Sequence, residues 1–168
     1  MIRTPRTLPK VLGPSDVISL LGAVRRWRDR AMLEAMVLGG LRCCEVIGLR
    51  LEDLQPTQRR VFIADGKGGH QRLIPMSDQF FQSVSNYLSL ERPVDSVGDA
   101  FFVVLKTSRR GSALTINGLE QIVASAKTRG GLERATCHQL RHTCLTRLRE
   151  AGRACQFFCV REVLHLVW

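Results

Sequence analysis

Apolar residues return at helical spacing through most of the chain and at strand spacing in one short part of it. With Ser15 as cap, "DVISLLGAVRRW" places Val17, Leu20, Leu21 and Val24 on one helical face. Asp29 opens a second helix in "RDRAMLEAMVL", which Gly39 and Gly40 stop, and a third short helix starts near Leu41. The period then changes: "RRVFIADGKGGHQRLIPM" holds two strand-like runs around "DGKGG". There Gly66, Gly68 and Gly69 supply the positive φ values that a hairpin tip needs. "SDQFFQSVSNYLSL" returns to helix with Ser77 as cap, and "DAFFVVLK" is a short apolar strand or extended piece. "TINGLEQIVASAKTRGG" predicts a helix from a Thr115 cap to a stop at Gly130 and Gly131. "ATCHQLRHTCLTRLREAG" predicts another that closes at Gly152, and Phe157, Val160, Leu164 and Val167 predict one last helix. The fold class is mostly α with a small antiparallel β-hairpin or sheet (α+β), preceded by an extended arm over residues 1–13.

The 168 residues suffice for one domain with its own core, and 45% hydrophobic with 24% charged residues is an ordinary soluble balance. The charge sign changes the picture. Twenty-five Lys and Arg against 15 Asp and Glu leave +10, the footprint of a partner of polyanions, most often nucleic acid. A ribosome-associated or merely basic protein is the plainer alternative. "MIRTPRTLPK" lacks the apolar core of a secretory signal, and "AMLEAMVLGGL", broken by Glu34, is too short to span a bilayer. No membrane association and a cytoplasmic location are expected. The six cysteines (43, 44, 137, 144, 155 and 159) form no CxxC pair. Cys155 and Cys159 with His165 could be imagined around zinc, but reduced cysteines acting as small buried hydrophobes suit the spacing better.

Three stretches carry candidate chemistry. In "GGLRCCEVIGL", Arg42 follows two glycines at a helix start, where backbone N–H groups favour an anion, and Glu45 is placed to pair with it. A surface Arg–Glu helix pair explains the same residues. In "GKGGHQRLIP", Lys67 on a glycine-rich tip could approach a phosphate, or could be a solvated turn lysine; the helix context of a phosphate-cradling loop is missing. In "CHQLRHTCLTRL", Leu140, Cys144 and Leu148 make an apolar stripe, while His138 and Arg141 share a face beside it and His142 lies one turn after His138. Taken together, two arginines could clamp the nonbridging oxygens of a phosphodiester, His138 could move a proton or donate to it, and Lys67 could protonate the departing oxygen. Guanidinium and ammonium groups would serve where other sites use a metal, so no metal is required.

"GGLRCCEVIGLRLEDL", "GKGGHQRLIP" and "HQLRHTCLTRLREAG" resemble, in order and rough separation, the three signature blocks of the tyrosine recombinase, or phage integrase, family. "LPKVLGPSDVISLL" resembles the entry to that family's catalytic domain, so the resemblance covers about residues 8 to 152. It implies a recombinase catalytic-domain fold and cleavage and rejoining of double-stranded DNA through a 3′-phosphotyrosine, without cofactor. It implies Arg42 as first catalytic arginine, Lys67 as hairpin lysine, and His138 and Arg141 as the His-x-x-Arg pair. His165 then falls near the place of a second histidine, in "REVLHLVW", without the glycine the family has there. His142 would pack beside the site.

The same resemblance marks departures. Residues 14–168 would be an incomplete catalytic domain, with the N-terminal core-binding domain and the tyrosine-bearing C-terminal helix absent. The one tyrosine, Tyr87, comes too early in the motif order and is expected in a structural place, on a helix whose apolar side faces the core; its phenol could be near the surface. Two functions follow from different classes: a recombinase domain inactive alone, served by a tyrosine from another recombinase subunit, or a degenerate non-catalytic DNA-binding fragment.

Overall fold

The computed structural model describes residues 11–64 and 71–151. Lys67, the closing Gly152, the last predicted helix, His165 and the Cys155–Cys159 pair therefore lie outside the described residues. Among the described residues six α-helices are arranged around one core: α1 Pro14–Gly22, α2 Trp27–Val37, α3 Cys43–Ile47, α4 Asp78–Asn86, α5 Ile116–Arg129 and α6 Cys137–Glu150. A three-stranded antiparallel sheet, β1 Leu54–Gln55, β2 Arg60–Ile63 and β3 Arg72–Pro75, runs in the order β1-β2-β3. The register pairs Val61 with Ile74 and Ile63 with Arg72. Strand β1 is two residues long, too short for any alternation to announce it. No helix among the described residues is long and apolar enough to cross a membrane.

The local caps explain several boundaries. Ser77 Oγ accepts from the Phe80 N–H and Thr115 Oγ1 from the Gly118 N–H, so α4 and α5 start where a hydroxyl can satisfy an orphan donor. Helix α1 departs from the expectation. It starts at Pro14, a residue with no N–H to leave unsatisfied, and Asp16 Oδ2 accepts from the Gly13 N–H at 3.0 Å, so Gly13 rather than Ser15 is the cap. It also ends at Gly22, leaving Val24 beyond it, partly buried against the core. Helix α2 starts two residues before Asp29. The Glu91 carboxylate accepts from the backbone N–H groups of Trp27 (3.0 Å) and Arg28 (2.9 Å) and caps the helix from a distant part of the chain. Glu91 reaches that point because α4 runs on into a π-helical turn, Tyr87–Glu91.

Helix α2 is the central element and is buried all round. Besides Ala31 to Val37 it encloses Arg28, which bonds Asp29 Oδ1 (2.8 Å) and the Val103 carbonyl (2.9 Å). The basic stretch 25–30 is thus partly internal, and Arg28 belongs to the core's polar network. "DAFFVVLK" is an extended piece held by isolated bridges, Arg50 to Ala100 and Val103 to Ala113, with Phe101, Phe102 and Val103 buried. Tyr87 is fully buried beside them, in a structural place as expected, and its phenol lies in the core rather than near the surface. Its hydroxyl donates to the Phe101 carbonyl (3.1 Å) and accepts from the Val103 N–H (3.2 Å). Burial pushes its pKa up, outweighing those partners and the nearby arginines.

Candidate active site

The site forms where α2 stops, α3 starts and α6 crosses. Gly39 permits the close approach: a Cβ there would meet Met76 Sδ at 2.5 Å and the Ala35 carbonyl at 2.9 Å. Gly40 takes φ 65°, a left-handed value that glycine adopts without penalty. The turn closes with the Gly40 N–H on Met36 O and the Leu41 N–H on Ala35 O, both 3.1 Å. It leaves the Gly40 carbonyl facing α6, where it accepts from Arg141 Nη1. Helix α6 is fixed along its length by Thr136 Oγ1 accepting from the Gln139 N–H, Cys144 Sγ donating to the Leu38 carbonyl, and Thr143 Oγ1 accepting from the Leu12 N–H.

Arg42 caps α3, and Glu45, three residues on, turns back. Its Oε2 accepts from the Arg42 N–H at 2.9 Å and its Oε1 from Arg42 Nη1 at 2.8 Å. This is not a solvated surface pair, because the Glu45 side chain is 0% exposed. Oε2 also accepts from Arg72 Nη2 at 2.8 Å, and Arg141 Nη1 stands 3.9 Å from it. One buried carboxylate therefore gathers three guanidinium groups from three elements: the α3 cap, strand β3 and helix α6. Burial pushes the Glu45 carboxyl up, but the Arg42 N–H and the Arg72 and Arg42 guanidinium groups outweigh it and hold its pKa below the ordinary range. Arg141 is pulled below its ordinary value by burial first and then by repulsion from Arg42, and it stays charged at neutral pH.

Arg42 and Arg141 open with His138 into one cleft of about 760 Å³, which Lys127, Ile116 and Val123 also line. His138 is exposed, and its ring lies parallel to that of His142, centroids 6.3 Å apart at 9°. Of the five sequence-predicted site residues, Arg42, His138 and Arg141 share this cleft, while Lys67 and His165 lie outside the described residues. Arg72 was missed by sequence reasoning; it stands within the same glycine-rich block as Lys67, but nothing local signals that its partner is a carboxylate 27 positions earlier. The cysteines are mixed. Cys137 and Cys144 are buried and Cys43 half-buried, whereas Cys44 is exposed, contrary to the expectation of a buried hydrophobe. Burial pushes the Cys43 and Cys137 thiols up, which disfavours the reactive thiolate. No group of three or more His, Cys, Asp or Glu side chains among the described residues could hold a metal ion.

Residues 10–158 match the model of the phage integrase family, so the chain belongs to that family. A tyrosine recombinase XerD of Mycobacterium tuberculosis is 32% identical over 157 residues, covering 88% of this chain and 50% of its own length. A tyrosine recombinase XerA of Pyrococcus horikoshii is 28% identical over 150 residues, covering 89% of this chain. The chain thus spans about half the length of the curated relatives it matches. The crystal structure of XerA recombinase superposes with a TM-score of 0.78 at 22% identity, over 90% of this chain and 53% of that one. The XerH site-specific recombinase bound to its difH substrate superposes with 0.70 at 23% identity, over 86% of this chain and 44% of that one. The fold is that of recombinase catalytic domains, mostly helical with a small three-stranded sheet.

Proposed function

We propose that this chain is the DNA-binding catalytic domain of a recombinase that breaks and rejoins strands through a phosphotyrosine intermediate. The observation that carries the proposal is the buried Glu45 carboxylate, which holds Arg42 and, more loosely, Arg141 on one cleft. In this reading their guanidinium groups grip the nonbridging oxygens of one phosphodiester and stabilise the charge of its pentavalent transition state. His138, exposed at the cleft, donates to the same phosphate or moves a proton. The family pattern assigns Lys67 to protonating the departing 5′-oxygen and His165 to the second histidine position. The partners are double-stranded DNA and further recombinase subunits, the mechanism uses no cofactor, and the place of action is the cytoplasm.

A second proposal, a non-catalytic DNA-binding fragment, draws on Tyr87. The one tyrosine among the 168 residues is fully buried and bonded on both sides of its hydroxyl. The catalytic proposal therefore takes its attacking tyrosine from outside these residues. A nicked suicide substrate separates the two: an adduct forming only when a tyrosine-bearing subunit is added supports catalysis, and none under any condition supports the fragment. DNA binding itself is tested by titrating a duplex at several salt concentrations. Each phosphate contact adds about 0.9 to the slope of log K against log salt. Arg42→Ala and Arg141→Ala are expected to weaken binding of a phosphate-bearing DNA end more than Arg109→Ala, whose residue is exposed and does not line the cleft. A flat salt response would end the nucleic-acid reading.

A further inference from the structure

We infer that Arg72 is a positioning residue of this phosphate site, holding the Glu45 carboxylate that aims Arg42 and supplying the third positive charge of the cluster. The inference rests on the catalytic-domain reading and extends it to a residue outside the three signature roles. Three observations carry it. First, Glu45 has two oxygens and is fully enclosed, so its orientation is set by its donors: Arg42 takes Oε1, and Arg72 shares Oε2 with the Arg42 backbone. Without Arg72, Oε2 would keep one hydrogen bond, from the very residue that Glu45 is required to orient. Second, Arg72 approaches from β3, while Arg42 and Arg141 come from the helical side. Its bond ties the sheet to the clamp, and β3 is the strand that follows Lys67 in sequence. Third, the charges sum usefully. Three guanidinium groups around one carboxylate leave +2, which balances the two negative charges a phosphodiester carries once it is pentavalent; removing Arg72 leaves +1. Its side chain is 34% exposed, comparable with 35% for Arg42, so it is set among the same partly solvated groups rather than sealed in the core.

A preference measurement tests this without depending on overall fold or overall DNA affinity. The probes are two duplexes with the same nick, one carrying a 3′-phosphate at the break and one a 3′-hydroxyl. The ratio of their dissociation constants reports the clamp, because a general loss of DNA binding changes both alike. The wild-type chain is expected to prefer the phosphate. Arg42→Ala is expected to abolish the preference, and Arg72→Ala to reduce it about tenfold, the scale of one lost charge-assisted hydrogen bond. Arg72→Lys keeps the charge without the fork and is expected to fall between. Added guanidinium ion, below the concentrations that unfold the chain, is expected to restore part of the preference to Arg72→Ala, which a merely structural loss would not show. Should Arg72→Ala prove unfolded, Arg72→Lys and Arg72→Gln carry the same comparison. A full preference in the Arg72 variants beside a lost one in Arg42→Ala overturns the role of Arg72 and leaves the site standing. No preference in the wild type, or an unchanged one in Arg42→Ala, overturns the site itself.

Discussion

Glu45→Gln removes one negative charge from the centre of the cluster and changes little in shape. The wild-type carboxylate accepts three hydrogen bonds, from the Arg42 N–H, Arg42 Nη1 and Arg72 Nη2. Removing one partner of a fully buried pair costs roughly 3–5 kcal/mol. Here the partners are only partly buried, with Arg42 and Arg72 35% and 34% exposed, so water recovers much of what they lose. Glutamine also keeps one carbonyl oxygen. The expected destabilisation is therefore about 2 kcal/mol, and Glu45→Ala costs about 3 kcal/mol by the same reasoning. The pH dependence identifies the cause. The folded state holds the Glu45 pKa below its ordinary value, so the unfolded chain binds the proton more readily. This contribution is fully present above the ordinary glutamate value of about 4.3 and is lost as pH falls through the lower folded value. Urea unfolding of both proteins from pH 7 downward should show a constant gap to about pH 5 that closes in acid. A gap under about 0.5 kcal/mol at pH 7, or one that does not narrow in acid, refutes Glu45 as the charged centre of the cluster.

Tyr87→Phe removes both hydroxyl bonds, to Phe101 and Val103, and should cost about 1–3 kcal/mol in urea unfolding while leaving duplex affinity unchanged. Mass spectrometry after incubation with a nicked suicide substrate should find no adduct on Tyr87. Glu34 is fully buried on α2, and burial pushes its pKa up more than Ser83, Arg30 and Gln79 pull it down. Its folded value lies above the unfolded one, so the stability gained by protonation is present in acid and lost as pH rises through the folded value. Glu34→Gln should therefore raise the melting temperature at pH 7, with the gain shrinking in mild acid; a fall at pH 7 would show that the Arg30 pair outweighs burial.

The parts of the fold that could be read from sequence are those set by neighbours in sequence. Ser77 and Thr115 cap their helices through residues three positions on, and α2 stops where Gly39 has no room for a Cβ and Gly40 takes a left-handed φ. The start of α2 could not be read, since its cap is Glu91, more than sixty residues away. The site divides in the same way. The Arg42 and Glu45 pair lies within one helical turn and was legible, but taken alone it read better as a solvated surface pair. The convergence of Arg72 and Arg141 upon Glu45 depends on the fold bringing β3 and α6 to a residue 27 and 96 positions earlier in the chain. Pattern also missed that Arg28, set in a basic run, would turn inward to the Val103 carbonyl. A charge run reports net charge, not which of its members reaches solvent.

The central claim is that Arg42 and Arg141 act on one phosphate. A double-mutant cycle tests it, using affinity for the nicked duplex with a 3′-phosphate and the chains Arg42→Ala, Arg141→Ala and the double variant. Groups that grip the same phosphate are expected to be non-additive, with a coupling energy of at least about 0.5 kcal/mol and a double variant less impaired than the two single losses together. The matching cycle of Arg42 with the exposed Arg109 should be additive within about 0.5 kcal/mol. Additivity between Arg42 and Arg141 as well would mean that the two guanidinium groups contact separate phosphates, and the site as described would be contradicted.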